Sequence, residues 1–385
     1  MYKGVKEELV KNNAHFFVQY STSNDANFYY ATNFKVGDPV LYAVNRDIDM
    51  VVVPEMEKNR AIREANVGKV FSLNDLNFSQ NLKELEAPRE AVAHTYLQFL
   101  QSQSAEKVLV PPDFPSFLSF YFKDNGMDVV IVDNPFSASR KIKTEEEIEN
   151  IRKSSQAAVS GVEHLIKLLK LLKKGKTDSN KDGNGFRGCE WLRNEVEMYL
   201  YSQGYEAKNT IVSSGMDTAE PHNIGEGEVE KHVIFDVFPQ SKKTNYFSDF
   251  TRTVVLKRQD EIEDMLDAVI EAKEAGISMV RDGVRANEVH DKVCDILEDR
   301  GYHALRGESR EGFIHSTGHG VGLEVHEKPS IYTREEPLES GMVATIEPGL
   351  YYKDIGGVRV EDTVVVRKND CEVLTKYPNR VDLNE

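Results

Sequence analysis

The sequence predicts a mixed α/β (α+β) protein built from two domains. Its 385 residues exceed the roughly 250–300 residues that a single hydrophobic core usually supports. Over the first 138 residues, short apolar runs typical of buried strands alternate with segments of helical spacing. The composition, 40% hydrophobic and 29% charged, is typical of globular proteins. We therefore expect one domain over residues 1–138 and a second over residues 139–385.

Each domain has recognisable elements. In the first domain we predict strands over 40–44, 50–54, 107–110 and 129–132 and helices over 55–65 and 88–103. Pro88 begins the second of these helices, where a proline is tolerated because the first amides of a helix have no helical partner. In the second domain, Thr144 followed by Glu147 matches a capping box. A long helix is therefore predicted to begin just after Thr144.

Two carboxylates of the second domain lie on predicted strands. Asp236 interrupts the apolar run 233–239, and Asp249 precedes a run of aromatic and β-branched residues. The polar residues 240–243 between them are typical of a connecting loop, so the two segments are predicted to be the arms of one hairpin. Both carboxylates can then face one pocket.

Three more candidate ligands follow along the chain. His319 has a glycine on each side and a third glycine at position 322, which lets the neighbouring backbone approach closely. Glu347 and Glu361 each stand at the end of a predicted strand. A set of four carboxylates and one imidazole, with no thiolate, suits Mn²⁺, Co²⁺ or Fe²⁺ better than structural zinc. These residues predict a pair of divalent ions in a hydrolase centre.

The ordered motifs resemble those of the pita-bread metallopeptidases, in the branch of Xaa-Pro aminopeptidases and prolidases. The motifs are Asp-x-Thr-Arg-Thr from Asp249, Gly-His-Gly-x-Gly around His319, Glu-Pro-Gly from Glu347 and Arg-x-Glu-Asp from Arg359. The resemblance covers roughly residues 140–368. It implies a catalytic domain with a curved antiparallel sheet flanked by helices. Residues 25–32 resemble the creatinase-type amino-terminal domain of the same family, which implies a creatinase-like α/β domain before the catalytic one.

The resemblance also implies roles for individual residues. Asp249 and Glu361 would bridge two ions, Asp236 would bind one, and His319 with Glu347 would bind the other. The implied metal ligands are therefore Asp236, Asp249, His319, Glu347 and Glu361. The residues implied to act in catalysis are His222, His326 and Glu347, and those implied to bind substrate are His222, His315, His326 and Arg359. The expected ions are two Mn²⁺, with Co²⁺, Fe²⁺ or Zn²⁺ as alternatives.

The implied activity is hydrolysis of the Xaa-Pro bond at the amino terminus of a peptide, through attack by a hydroxide that bridges the metals. Ser330 stands where prolidases often carry an arginine that binds the dipeptide carboxylate, and serine cannot make that bidentate pair. We therefore expect an aminopeptidase, although Lys328 or Arg334 could substitute for the arginine. The alternatives are an Xaa-Pro dipeptidase and a non-catalytic peptide-binding module of the same fold. Homodimers are common in the family.

One departure from the family pattern concerns the first motif. The family usually has Asp-x-Gly with eleven residues to the second Asp, whereas here Phe238 replaces the glycine and Asp249 lies thirteen residues after Asp236. Strand faces repeat every two residues, so a hairpin can accept an even insertion without turning a side chain to the other face. We expect metal binding to survive with an altered pocket edge.

Composition argues against other classes of function. The net charge of -16 argues against a nucleic-acid partner, whose binding depends on clustered lysine and arginine. No apolar run approaches the roughly 18 residues of a membrane span, and the first residues lack the apolar stretch of a secretion signal, so we expect a cytoplasmic protein. Three scattered cysteines do not suggest a disulfide framework.

Two further segments have ordinary explanations. The lysine-rich residues 167–175 could suit a membrane surface, but lysines before a glycine also fit a helix end. Residues 178–183 match the first half of a calcium-binding loop. The second half does not match, because Cys189 occupies the position of the bidentate glutamate. We interpret this segment as a surface loop.

Overall fold

The computed structural model describes residues 2–173, 188–306, 309–381 and 383. It divides into two compact units, Met1–Arg140 and Lys141–Glu385, each with helices and strands. The roles assigned to the two predicted domains, 1–138 and 139–385, stay predictions. The candidate calcium loop at 178–183 lies outside the described residues. Within the described part of the chain, no helix combines the length and the apolar character that crossing a bilayer requires.

The first unit is a six-stranded sheet with helices. Its helices are α1 Lys3–Lys11, α2 Ala26–Thr32, α3 Lys58–Glu64, α4 Phe78–Leu85, α5 Pro88–Ser102, α6 Ser116–Asp124 and α7 Ser137–Arg140. Its strands are β1 Phe16–Ser21, β2 Val40–Val44, β3 Asp49–Val53, β4 Lys69–Ser72, β5 Lys107–Val110 and β6 Asp128–Ile131. The strand order is β4-β3-β2-β1-β5-β6, with β1–β2 and β2–β3 antiparallel and the other pairs parallel.

Both faces of this sheet are buried. Leu41 and Val52 pack in the hydrophobic cluster on one face, while Tyr42 and Val51 pack in the cluster on the other. Residues one apart on a strand point to opposite faces, which is why these strands read as continuous apolar runs. All four predicted strands of this unit are present within two residues of their predicted ends. The predicted helix 55–65 begins as a 3₁₀ turn over Glu55–Glu57 and continues as α3.

The second unit contains four long helices and several small antiparallel sheets among its described residues. Its helices are α8 Glu145–Lys173, α9 Cys189–Ser202, α10 Asp260–Met279 and α11 Ala286–Asp299, with a 3₁₀ turn at Gly215–Ala219. Its strands are β7 Tyr205–Glu206, β8 Ile211–Ser214, β9 His232–Val237, β10 Gln240–Ser241, β11 Phe250–Val255, β12 Gly318–Gly320, β13 Glu327–Ile331, β14 Val343–Ile346, β15 Gly349–Tyr352, β16 Gly356–Arg359, β17 Asp362–Val366 and β18 Cys371–Val373. The sheets run β11-β9-β8, β13-β12-β14-β17-β18, β15-β16 and β10-β7.

Helices cover these sheets. Leu165 of α8 and Val196 of α9 pack in one cluster with Phe235 of β9. Helices α10 and α11 contribute Ala272 and Val293 to a second cluster, together with residues of β15 and β16. This burial of apolar faces is the main source of the stability of the unit.

Two local predictions for the second unit can be compared directly with the structure. The capping box is confirmed, because the Thr144 amide donates to Glu147 Oε2 at 2.7 Å and the Glu147 amide donates to Thr144 Oγ1 at 3.3 Å. The loop prediction for residues 240–243 is partly wrong, because Gln240–Ser241 forms the short strand β10. Backbone groups make this pairing with β7, so the polar side chains do not prevent it.

Candidate metal centre

The two aspartates come together through strand register. Asp236 of β9 lies opposite Thr251 of β11, and Phe250 lies opposite Val237. Asp249 stands just before β11, two residues from Thr251, and therefore on the same face of the sheet as Asp236. The predicted hairpin arms are thus confirmed as paired strands, and the longer connection leaves the alternation intact.

The second sheet supplies the other three side chains. His319 is the central residue of β12, Glu347 follows β14, and Glu361 directly precedes β17. The prediction of close backbone approach at the glycines is confirmed, because a Cβ atom at Gly318 would lie 1.9 Å from the carbonyl oxygen of Thr345. Any side chain there would push β12 away from its neighbour.

Direct distances define the cluster. His319 Nε2 lies 3.2 Å from Glu347 Oε1 and 3.7 Å from Asp249 Oδ2. One possible ligand atom from each of Asp249, His319 and Glu361 can be chosen so that all three lie within 4.8 Å of one another. Residues separated by more than 100 positions in the chain therefore surround one small volume.

The chemistry of this cluster fits a pair of cations. Asp236 Oδ1, Asp249 Oδ1 and Glu361 Oε1 are buried oxygens without a hydrogen-bond partner in the structure. Burying an unpaired carboxylate oxygen is costly, so such groups usually bind a cation or a donor. Burial, and then repulsion by Glu361 and Asp236, raises the pKa of Asp249 well above its usual value. A bound divalent ion would compensate for the burial of these carboxylates and for the repulsion between them.

The imidazole of His319 and the carboxylate of Glu347 lie within hydrogen-bond distance of each other. Burial acts to raise the pKa of Glu347, but the hydrogen bond from His319 and the charge of that ring lower it to about 2. Burial acts to lower the pKa of His319, yet the bond to Glu347 raises it. A cation competes with the proton on His319, because ligand histidines bind metal as the neutral ring.

Arg359 is buried beside the cluster. Its guanidinium donates to Asp236 Oδ2 at 2.7 Å, to the hydroxyl of Tyr351 at 2.8 Å and to the carbonyl oxygen of Pro221 at 3.2 Å. His315 Nε2 lies 3.0 Å from the same Tyr351 hydroxyl. The sequence reasoning missed Tyr351, and no local pattern marks it, because its position depends on the β15–β16 hairpin.

A second layer of buried charge lies behind Glu361. Arg252 is fully buried and donates to the Glu361 carbonyl oxygen at 2.6 Å and to Asp362 Oδ1 at 2.9 Å. Lys273 donates to the other oxygen of Asp362. This layer fixes the backbone of Glu361 without occupying its carboxylate.

A cavity of about 730 Å³ opens onto the cluster. It is lined by Asn209, Ile211, Pro221, His222, Ile224, Asp236, Phe238, Asp249, Ile314, His315, Ser316, His319, Val325, His326, Glu347 and Arg359. Every residue expected to bind substrate is in this lining. The His326 ring packs on the His319 ring with centroids 4.1 Å apart, and His222 is exposed. The volume suits a short peptide.

Some expected residues lie elsewhere. Glu361 is 1% exposed and does not line the cavity, and Thr251 Oγ1 donates to its Oε2 at 2.7 Å. Ser330, Lys328 and Arg334 do not line the cavity. Ser330 is an exposed residue of β13 opposite His319.

Comparison with known proteins identifies the family. Residues 149–368 match the model of metallopeptidase family M24. The Xaa-Pro dipeptidase of Pyrococcus furiosus is 33% identical over 263 residues, covering 67% of this chain and 70% of the relative. The chain therefore belongs to metallopeptidase family M24, which confirms the predicted resemblance.

Solved structures agree on the fold. A prolidase from Pyrococcus furiosus superposes with a TM-score of 0.78 at 26% identity, covering 97% of this chain and 99% of that one. An X-Pro aminopeptidase from Thermotoga maritima has a TM-score of 0.77 at 22% identity, covering 96% and 98%, a likeness that shows the fold alone. The predicted α/β fold with a pita-bread catalytic domain is confirmed.

Proposed function

We propose that this protein is a metal-dependent exopeptidase that hydrolyses the Xaa-Pro bond at the amino terminus of peptides. The observation that carries the proposal is the group of three unpaired carboxylate oxygens at the base of a peptide-sized cavity. Family membership supports a metallopeptidase, and a relative 33% identical is an Xaa-Pro dipeptidase. The proposed metal ligands are Asp236, Asp249, His319, Glu347 and Glu361.

When bound, two divalent ions at such a site act as Lewis acids and make water nucleophilic near neutral pH. Side chains of the protein transfer the proton and bind the substrate. Glu347 faces the cavity, so its carboxylate is placed to accept a proton from the attacking water and return it to the leaving nitrogen. The Glu347 amide donates to the Thr317 carbonyl oxygen at 2.8 Å, and Thr345 Oγ1 donates to Glu347 Oε1 at 3.2 Å, so both the backbone and the carboxylate of Glu347 are held.

The histidines of the cavity are placed to bind the peptide. Burial, and then the charge of His319, lowers the pKa of His326, so the ring is neutral near pH 7 and can donate one N–H to a substrate oxygen. We propose that His326 and His222 steady the charge that develops on the scissile carbonyl. We propose that His315, held by Tyr351, and Arg359 shape the substrate side of the pocket.

The lining supports a peptide longer than two residues. Among the lining residues that the structure describes, Arg359 carries the one guanidinium or ammonium group, and it donates to Asp236, Tyr351 and Pro221. A dipeptide ends in a carboxylate that needs a cationic partner close to the cluster. An Xaa-Pro aminopeptidase is therefore our proposal, and the names of the relatives favour a dipeptidase as the second candidate.

The deciding experiment compares Xaa-Pro dipeptides with Xaa-Pro-Yaa tripeptides in the presence of Mn²⁺ or Co²⁺. We expect a higher kcat/KM for tripeptides, and the Glu361→Ala protein provides the background rate. Strict cleavage of dipeptides would instead identify a dipeptidase. Folded protein that takes up neither ion and hydrolyses neither peptide would favour the non-catalytic binding module. Manganese as the native ion, a homodimer and a cytoplasmic location stay predictions.

A further inference from the structure

A buried ion pair lies next to His326, outside the metal ligands. Lys143 Nζ lies 2.7 Å from Glu327 Oε1, and the two side chains are only 1% and 7% exposed. Glu327 follows His326 directly and is the first residue of β13. Because burial removes both charges from water, this pair is stable only in a geometry that brings the two groups together.

Glu327 also shapes the turn that carries His326. The amide of Glu324 donates to Glu327 Oε2 at 3.4 Å, which closes the turn over residues 324–327. A Cβ atom at Gly322 would lie 2.4 Å from Glu327 Oε1, so the carboxylate packs directly against that backbone. The turn includes Val325 and His326, and both line the cavity.

Lys143 is itself held in place by its own segment. Its amide donates to the Gly341 carbonyl oxygen at 3.0 Å. Two residues earlier, Lys141 binds Glu336 at 2.8 Å and Glu339 at 2.9 Å. The backbone that carries Lys143 is therefore held in place, and this fixes where the side chain starts on its way to the Glu327 carboxylate.

We propose that the Lys143–Glu327 ion pair positions His326 against the metal cluster. Neither residue touches the cavity, so both act through the turn rather than on the substrate. Removing the pair lets the turn relax and moves the His326 ring away from the His319 ring, from which its centroid is now 4.1 Å distant. A displacement of about 1 Å at such a group lowers a rate on the order of 100-fold.

The test uses the full-length chain and matched variants. Lys143→Met and Glu327→Gln each remove one member of the ion pair, and the double variant Lys143→Met/Glu327→Gln removes both charges and keeps the side-chain volumes similar. The control is Lys141→Met, which removes the same charge from the same segment but breaks only the pairs with Glu336 and Glu339. Lys143→Arg retains the charge and serves as the conservative variant.

Two measurements separate positioning from a purely structural role. The first is the imidazole Cε1–H signal of His326 in chelator-treated protein, assigned with a His326→Gln variant. The second is kcat/KM for an Xaa-Pro-Yaa tripeptide at saturating Mn²⁺. We expect the double variant to shift the signal and to lose roughly 10- to 100-fold in kcat/KM, mostly in kcat, with Mn²⁺ affinity retained. Lys141→Met and Lys143→Arg should resemble the wild type.

Some outcomes would overturn the inference. A double variant that folds and keeps both the wild-type signal and the wild-type kcat/KM removes the positioning role, whatever its thermal stability. An equal loss in Lys141→Met would assign the effect to the segment rather than to the pair. The kinetic part rests on the proposed function, and wild-type protein without peptidase activity would refute that function. The His326 signal needs no activity, so it tests the ion pair in either case.

Discussion

The backbone contact at Gly318 gives the sharpest prediction for the metal site. In Gly318→Ala, the new Cβ atom would lie 1.9 Å from the Thr345 carbonyl oxygen, whereas ordinary contact begins at 3.4 Å. The strands must therefore separate by about 1.5 Å, the difference between those two distances. This movement also displaces His319, whose amide donates to Thr345 Oγ1 at 3.0 Å. Misplacement by about 1 Å costs on the order of 100-fold in rate.

We expect Gly318→Ala to lose roughly 100-fold in kcat/KM and 10- to 100-fold in Mn²⁺ affinity. Titration calorimetry on chelator-treated protein measures the affinity, and hydrolysis of an Xaa-Pro peptide measures the rate. Gly37→Ala is the control, because a Cβ atom there meets nothing within 4 Å. Wild-type affinity and rate in Gly318→Ala would refute the steric reasoning.

Three other perturbations have defined outcomes. Free Mn²⁺ at 100 times its dissociation constant should raise the free energy of unfolding of chelator-treated protein by about 2.7 kcal/mol per ion, measured by thermal unfolding. Glu361→Gln should lose turnover and most of this Mn²⁺-dependent stabilisation. Full stabilisation of that variant would contradict the assignment of Glu361 as a ligand. Burial, and then the charge of Lys231, lowers the pKa of His232 to about 4, below the unfolded value of about 6.5. The contribution of its neutral ring to stability is therefore complete above pH 6.5 and is lost as the pH falls from 6.5 towards 4. The free energy of unfolding in urea should therefore fall between pH 8 and pH 5 by about 2 kcal/mol more in the wild type than in His232→Gln. An equal fall in both proteins would show that His232 does not cause the pH dependence. Lys273→Met should cost roughly 3 kcal/mol in urea unfolding, because it removes a partner of the buried carboxylate of Asp362, and an unchanged midpoint would show that the pair is dispensable.

The sequence predicts those parts of the site that are marked by short local patterns. His319 between two glycines and Asp249 before a β-rich run can both be recognised within a few residues. The effect of the two-residue insertion could also be predicted, because an insertion of an even number of residues leaves each strand side chain on its original face of the sheet. Strand pairing then places Asp236 and Asp249 on one face.

Other features depend on contacts between distant segments. Lys143 and Glu327 are separated by 184 positions, and each is an ordinary charged residue in its local sequence. Tyr351 can bind Arg359 only because the β15–β16 hairpin brings the guanidinium of Arg359 to its hydroxyl. The strand β10 was missed because its pairing uses backbone groups that carry no side-chain signal. Such features follow from the tertiary fold, and a single sequence contains no direct record of them.

The backbone contacts of the proposed ligands explain how a buried acidic cluster can remain available to cations. The Glu361 amide donates to the Thr251 carbonyl oxygen at 3.1 Å, and the Glu361 carbonyl oxygen accepts from Arg252. The Asp249 carbonyl oxygen accepts from the Thr363 hydroxyl at 2.8 Å. These bonds fix the backbones of Asp249 and Glu361, while Asp249 Oδ1 and Glu361 Oε1 have no hydrogen-bond partner. Hydrogen bonds to those oxygens would stabilise the metal-free protein but would compete with the ions, so support through the backbone preserves metal binding.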